Sequence, residues 1–294
     1  MRASVWLLCT LLAFSLPALA VEQGSQMVFR YWDWGKTPQR DNYQFQLLRA
    51  VLENTKPEYG GYSLQRVMAS FSTARARREI NHGNQINVRV GPYHTPTSLS
   101  NPAVGANLSV DFPIAENLLG YRQLIIRKAD LGKFASIKTE EELKKLTMGQ
   151  GRGWEDVRLY RAEGYRVDDS ANIDTLFQML VRKRFDYISM SIIETSSFLS
   201  DDQFSSELTV APSLFIYYPL PLVYYVGINE SAMAERIKLG LLRLEQEGIK
   251  KKLFERFYAG EVEELKREGN TFFEVDNAVV PADFKLSPPY FRRP

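Results

Sequence analysis

The clearest chemical signal in the chain is the run Gly149-Gln150-Gly151-Arg152-Gly153-Trp154. Glycine tolerates positive φ and lets backbone approach a ligand closely. A glycine loop that opens a helix presents free N–H groups at the positive end of the helix dipole. Such a loop is a cradle for an anion. Arg152, flanked by glycines, can add a bidentate contact to a carboxylate. The spacing is not the dinucleotide fingerprint, and no lysine and hydroxyl follow the last glycine as a phosphate loop requires. Glu155 and Asp156 suit the same helix end and oppose a second anion. On that alternative Arg152 pairs with one of them at the surface, and the glycines only make a tight strand-to-helix turn.

Other residues of chemical interest stand at predicted strand exits. Trp32 and Trp34 follow the first strand, Tyr93 and Thr95 the third, and Ser191 and Glu194 a later one. Open α/β sheets bind ligands beyond the carboxyl ends of their strands. Aromatic walls there suit a flat or apolar group, although Trp34 can equally cover its own loop. There are two histidines. His82, in Asn-His-Gly at a helix end, reads as solvent-exposed, and His94, in Pro-Tyr-His-Thr-Pro, reads as a rim residue. No serine or cysteine nucleophile motif accompanies them, and no ligand spacing suits a metal. A catalytic role is therefore the weaker class, and no cofactor is expected.

The elements that must position these residues follow from periodicity. Residues 27–32, 62–68 and 86–90 read as strands. Between them lie a helix over 42–56, with Phe45, Leu48, Val51 and Leu52 on one face, and a shorter helix capped by Ser72 and ending near Gly83. This βαβαβ order implies a parallel sheet with helices on its faces. Residues 91–119 are proline-rich and aperiodic, as functional loops and crossings are. A second α/β set begins with a strand at 124–127. Thr139 and Glu142 form a capping box. A helix is expected over 154–163, and Ile173, Leu176, Phe177, Leu180 and Val181 make a helical stripe. Strands follow at 165–167, 185–190 and within 208–227. Two helices then carry Met233, Ile237, Leu241 and Leu244, and Ile249, Leu253, Phe254 and Phe257. Residues 261–294 read as loop, but their aromatic content predicts packing against the body.

The bulk numbers narrow the class. The 294 residues carry a formal charge of +2, which implies neither nucleic acid nor an anionic membrane as partner. Arg75, Arg77 and Arg78 form the densest basic cluster and read as a solvated helix face. Residues 1–20 read as a secretory signal, with Arg2 before an apolar run and Ala18-Leu19-Ala20 at its end. The single cysteine, Cys9, lies inside that run, so the mature chain would have no thiol.

The order of these segments resembles the periplasmic solute-binding proteins of the amino-acid class, family 3. Val110-Asp111-Phe112-Pro113, residues 124–128, Ile137-Lys138-Thr139-Glu140-Glu141, Gly149 to Gly153, residues 180–187 and residues 244–258 carry the likeness. The resemblance implies an α/β, two-lobed, periplasmic-binding-protein-like fold of type II with two hinge crossings, near 124–128 and 217–223. Lobe one would comprise 21–127 plus 221–258, lobe two 128–220, and a tail 259–294 would pack on the body. It implies a periplasmic monomer that binds a small amino-acid-like or carboxylate solute reversibly and meets an inner-membrane transporter or receptor. Trp32, Tyr93, Thr95, Gly151, Arg152, Gly153, Ser191 and Glu194 are the expected ligand contacts.

Departures matter. Members that bind free amino acids fork the α-carboxylate with an arginine soon after the third strand, and Thr95-Pro96-Thr97-Ser98-Leu99-Ser100 has none. They place an aspartate for the ammonium group where this chain has Ser191. The alternatives are an adaptor or sensor that has lost the amino-acid site and, further off, a dehydratase-like enzyme using Glu194.

Overall fold

The computed structural model describes residues 26–95, 106–200, 202–281 and 284–291. The secretory-signal reading of residues 1–20 and most of the Thr95–Ser100 segment lie outside them. The strands in chain order are β1 (Met27–Asp33), β2 (Tyr62–Met68), β3 (Val88–Pro92), β4 (Leu108–Val110), β5 (Tyr121–Arg127), β6 (Thr147–Gly151), β7 (Arg166–Ala171), β8 (Tyr187–Ser191), β9 (Leu208–Tyr217), β10 (Leu222–Val226) and β11 (Thr271–Glu274). The α-helices are α1 (Pro38–Asn54), α2 (Lys56–Tyr59), α3 (Thr73–His82), α4 (Leu131–Ala135), α5 (Glu140–Lys144), α6 (Asp156–Ala162), α7 (Ile173–Val181), α8 (Ile192–Leu199), α9 (Asp202–Ser205), α10 (Ser231–Gln246) and α11 (Ile249–Leu265).

Two sheets divide the strands and define two lobes. The first has the order β2-β1-β3-β10-β4, the second β11-β9-β5-β8-β6-β7. β1 pairs parallel with β2 and β3, as the βαβαβ pattern requires. β10 returns from the far side of lobe two and inserts antiparallel between β3 and β4. Local signals set the helices. Ser72 accepts from the Arg75 N–H at the start of α3, and Gly83 ends it in the left-handed region. Thr139 and Glu142 form the expected capping box on α5. α1 starts earlier than its apolar stripe suggests, because Pro38 is preorganised for the first turn. α10 lies so close on α1 that a Cβ at Gly240 would fall 2.6 Å from Val51.

Two segments, 111–120 and 218–221, carry the chain between the sheets. They are bonded to each other. Asn117 Nδ2 donates to Tyr217 Oη (3.1 Å), and its Oδ1 accepts from the Leu220 N–H (2.7 Å). Gly120 has no room for a side chain, since a Cβ would lie 1.9 Å from the Tyr218 carbonyl oxygen. The first crossing therefore lies upstream of the expected 124–128. Residues 124–127 are inside β5, antiparallel to both β8 and β9 in the second sheet. Apolar alternation marks β5 as a strand but does not say which sheet it joins.

The tail needs a similar correction. α11 runs on to Leu265 through a kink at Tyr258, and β11 extends the second sheet parallel to β9. Phe272 stacks on Phe215 (5.0 Å between centroids) and Phe291 (4.3 Å), while Tyr290 and Phe291 cover Tyr121 at the junction of the lobes. Burial of these rings holds the segment as a strand where the sequence reads as loop.

Candidate functional site

The carboxyl ends of β1 and β3 in one lobe and β8 in the other converge on a cleft with a cavity of about 130 Å³. β1 delivers Trp32 and Trp34 to it. Trp32 is 7% exposed, stacked on Phe71, and its indole N–H donates to the Ala69 carbonyl (2.9 Å). Trp34 carries the Arg40 guanidinium over its ring at 5.4 Å and meets Phe198 of the opposite lobe edge-on. The first two turns of α1 supply Arg40, Asp41 and Gln44.

Charged side chains then meet across the cleft. Arg40 pairs with Glu194 of α8. Arg77 of α3 pairs with Glu155, just before α6. Lys36 and Asp174 form a third, exposed bridge between the lobes (2.8 Å). Within lobe two, Arg122 of β5 binds Asp156 (2.8 Å), which also accepts from Tyr218 Oη (2.9 Å). Asp41 accepts from the Thr37 hydroxyl (3.1 Å) and lies 3.8 Å from Arg40. Burial raises the Asp41 carboxyl above its ordinary range, against the pull of Arg40.

Arg89 differs from the other three arginines. It is the second residue of β3, is 1% exposed, and has no carboxylate partner among the described residues. Its guanidinium stacks over Tyr225 at 4.1 Å and donates from Nη2 to His94 Nε2 (3.2 Å). An arginine can only donate, so Nε2 is the unprotonated nitrogen of His94. Burial, then Arg89 and Arg77, hold the imidazole far below its usual value, at about 3. Burial also lowers Arg89 itself, to about 10. Gly91 makes this arrangement possible, because a Cβ there would lie 2.4 Å from Arg89 Nη1. Five nitrogen donors on residues lining the cleft are buried without an acceptor: Nε of Arg40, Arg77, Arg89 and Arg122, and Nε2 of Gln44.

The residues singled out in the sequence divide three ways. Trp32, Gly153 and Glu194 line the cleft. Tyr93 and Thr95 line a neighbouring cavity of about 640 Å³, which α6 and Asn277 and Val279 of the tail also line. Gly151, Arg152 and Ser191 line neither. Gly149 to Gly151 form the end of β6 instead of a ligand loop, paired to β7. Their glycines serve packing, since a Cβ would strike the Phe185 ring at Gly149 and the Trp154 ring at Gly151. Arg152 is exposed on the outside of this turn and donates to the Ser170 carbonyl (2.6 Å). Glu155 and Asp156, its expected surface partners, are instead taken by Arg77 and Arg122. Ser191 is buried, and its hydroxyl donates to the Leu118 carbonyl at the first crossing (3.2 Å). His94 is buried and stacked on Tyr225, and it lines the neighbouring cavity with Tyr93 and Thr95 instead of the rim of the cleft.

Four arginines escaped the sequence reading of the site. Arg77 lies in the basic cluster read as a solvated face, yet it is mostly buried against Glu155. Arg89 does leave a signal, a charge within an apolar central strand. Arg40 and Arg122 leave none. Among the described residues no group of three histidine, cysteine or acidic side chains could hold a metal ion. No described helix is long and apolar enough to cross a membrane.

No protein-family model matches the chain, and no curated protein does. Solved structures do match. The GluR0 ligand-binding core from Nostoc punctiforme in complex with L-glutamate is 13% identical, with a TM-score of 0.51 over 79% of this chain and 99% of that one. A Salmonella typhimurium periplasmic binding protein with high arginine specificity is 11% identical, with a TM-score of 0.53 over 78% and 98%. A histidine kinase sensor domain similar to periplasmic binding proteins is 12% identical, with a TM-score of 0.54 over 79% and 96%. At these identities the likeness is one of fold. The chain thus has the two-lobed α/β fold of the periplasmic binding proteins, the architecture that the order of its sequence segments resembles.

Proposed function

We propose that this chain binds a small polar solute reversibly between its lobes, for uptake or sensing in the periplasm. The observation that carries this reading is the cleft itself. Both lobes contribute to it, tryptophan faces flank it, and buried guanidinium groups line it. An apolar cavity of about 150 Å³ takes benzene, so a cavity of about 130 Å³ suits a ligand of few heavy atoms. Closure of the lobes removes the solute from water and creates a state that a membrane transporter or receptor can read. The named ligands of similar structures, glutamate in one and arginine in another, are likewise polar solutes that carry a carboxylate. The protein works as a monomer, without a cofactor, after loss of residues 1–20.

A thermal-shift screen of amino acids, organic acids, sugars, amides and polyamines tests this. A ligand at about 100 times its Kd adds roughly 2.7 kcal/mol to stability, which raises Tm by about 5–10 °C in a protein of this size. No shift across the whole set would count against solute binding. It would favour the second reading, an adaptor with no ligand, which the three charge pairs between the lobes support. Turnover of a bound compound would favour an enzyme.

A further inference from the structure

Resting on the solute-binding reading, we propose that the solute is a small monocarboxylate with a further oxygen acceptor and no ammonium group, a 2-oxo or 2-hydroxy acid anchored at Arg89. The argument counts what the cleft has left to offer. Its acidic groups are engaged: Glu194 by Arg40, Glu155 by Arg77, Asp156 by Arg122 and Tyr218, and Asp41 by Thr37. An ammonium group entering here would have to compete with a guanidinium or break the Thr37 bond. Ser191, where the sequence resemblance leads one to expect an ammonium partner, has an uncharged, buried hydroxyl that donates to the Leu118 carbonyl.

The unmet demand is of the opposite kind. All five unsatisfied polar atoms on the lining residues are N–H donors. A buried donor without an acceptor costs about 1–3 kcal/mol, and an arginine offers no lone pair that another donor could use. Acceptor oxygens on a ligand match the chemistry of these buried donors, and an ammonium group matches none of them.

Charge points the same way. Arg89 is the lining guanidinium with no carboxylate partner among the described residues, and neutral His94 does not balance it. A buried unpaired cation is costly, and one carboxylate would balance it. Asp41 lies 3.8 Å from Arg40 and accepts from the Thr37 hydroxyl, so its carboxylate is already answered within lobe one. The second oxygen function of the solute would reach the Gln44 amide or the Arg77 Nε–H.

Calorimetric titration of the purified chain with matched compounds tests this. Pyruvate, lactate and alanine form one set, and 2-oxobutyrate, 2-hydroxybutyrate and 2-aminobutyrate another. An oxo or hydroxy acid should bind at least tenfold more tightly than its amino counterpart. Arg89→Lys keeps the charge but loses the planar fork and should weaken that binding at least tenfold. Gln44→Glu keeps the acceptor that Tyr31 uses (2.7 Å) and replaces a donor by a negative charge, so it should do the same even if Arg89→Lys does not fold. Equal or tighter binding of the amino acid would overturn this inference and leave solute binding standing. Unchanged affinity in Gln44→Glu would also overturn it. Failure of every compound in the wider screen would overturn both.

Discussion

The His94 ring lies flat on Tyr225 with its Nε2 facing the Arg89 guanidinium, a setting that penalises a second ring proton. The consequence is a pH dependence with a definite sign. The folded value, about 3, lies below the usual 6.5, so the unfolded chain takes up the proton first as pH falls. Stability from this residue is complete above about pH 6.5 and is lost between there and about pH 3. The loss at pH 4 should be on the order of 3 kcal/mol. Urea unfolding at pH 7 and pH 4 should show it, and His94→Gln should lose clearly less over the same interval. An equal loss in both proteins would mean that other groups set the acid limit. Arg152 offers a contrast at the same scale. Its guanidinium bonds only an outer carbonyl, so Arg152→Ala should leave stability within about 0.5 kcal/mol and leave solute affinity unchanged.

β6 shows how an element can carry a misleading motif. Gly149 and Gly151 look like backbone freedom but mark places where rings press against the strand. Alanine at either position should cost about 1–3 kcal/mol by overpacking. Gly153 is the one glycine of this run with positive φ, +74°, and it has open space around it. Gly153→Ala should cost only the strain of the left-handed conformation, roughly 1–2 kcal/mol. Chemical denaturation of the three variants separates the two mechanisms. Much of the element structure was legible from local rules: the apolar runs of β1 and β2, the alternation leading into β3, the caps of α3 and α5, the stripe of α7. These signals depend on near neighbours. The membership of β5 and β11 in the second sheet was not legible, because strand pairing is decided by partners far along the chain. The charge pairs of the cleft were hidden for the same reason. Arg77 and Glu155 are 78 positions apart, and Arg40 and Glu194 are 154 apart. Nothing near either arginine shows what will neutralise it.

At the scale of the molecule, these pairs tie one lobe to the other. Removing charge from both with Glu155→Gln and Glu194→Gln should leave each lobe folded and shift the balance toward open forms. Small-angle scattering should then give a larger radius of gyration than for the parent chain, and an identical profile would show that the pairs do not hold the cleft. The sheet orders have a further consequence, for the way the chain is made. The first sheet receives β10 between β3 and β4, and the second receives β11 at its edge. A growing polypeptide that stops short of residue 222 therefore has two unfinished sheets, with the edges of β3 and β4 unpaired. Neither lobe can close its core while the C-terminal part is still unsynthesised, and pairing over such distances along the chain is slow. Stalled or truncated products should be sticky and open to proteases, whereas the finished chain can settle both lobes together once its last strand arrives.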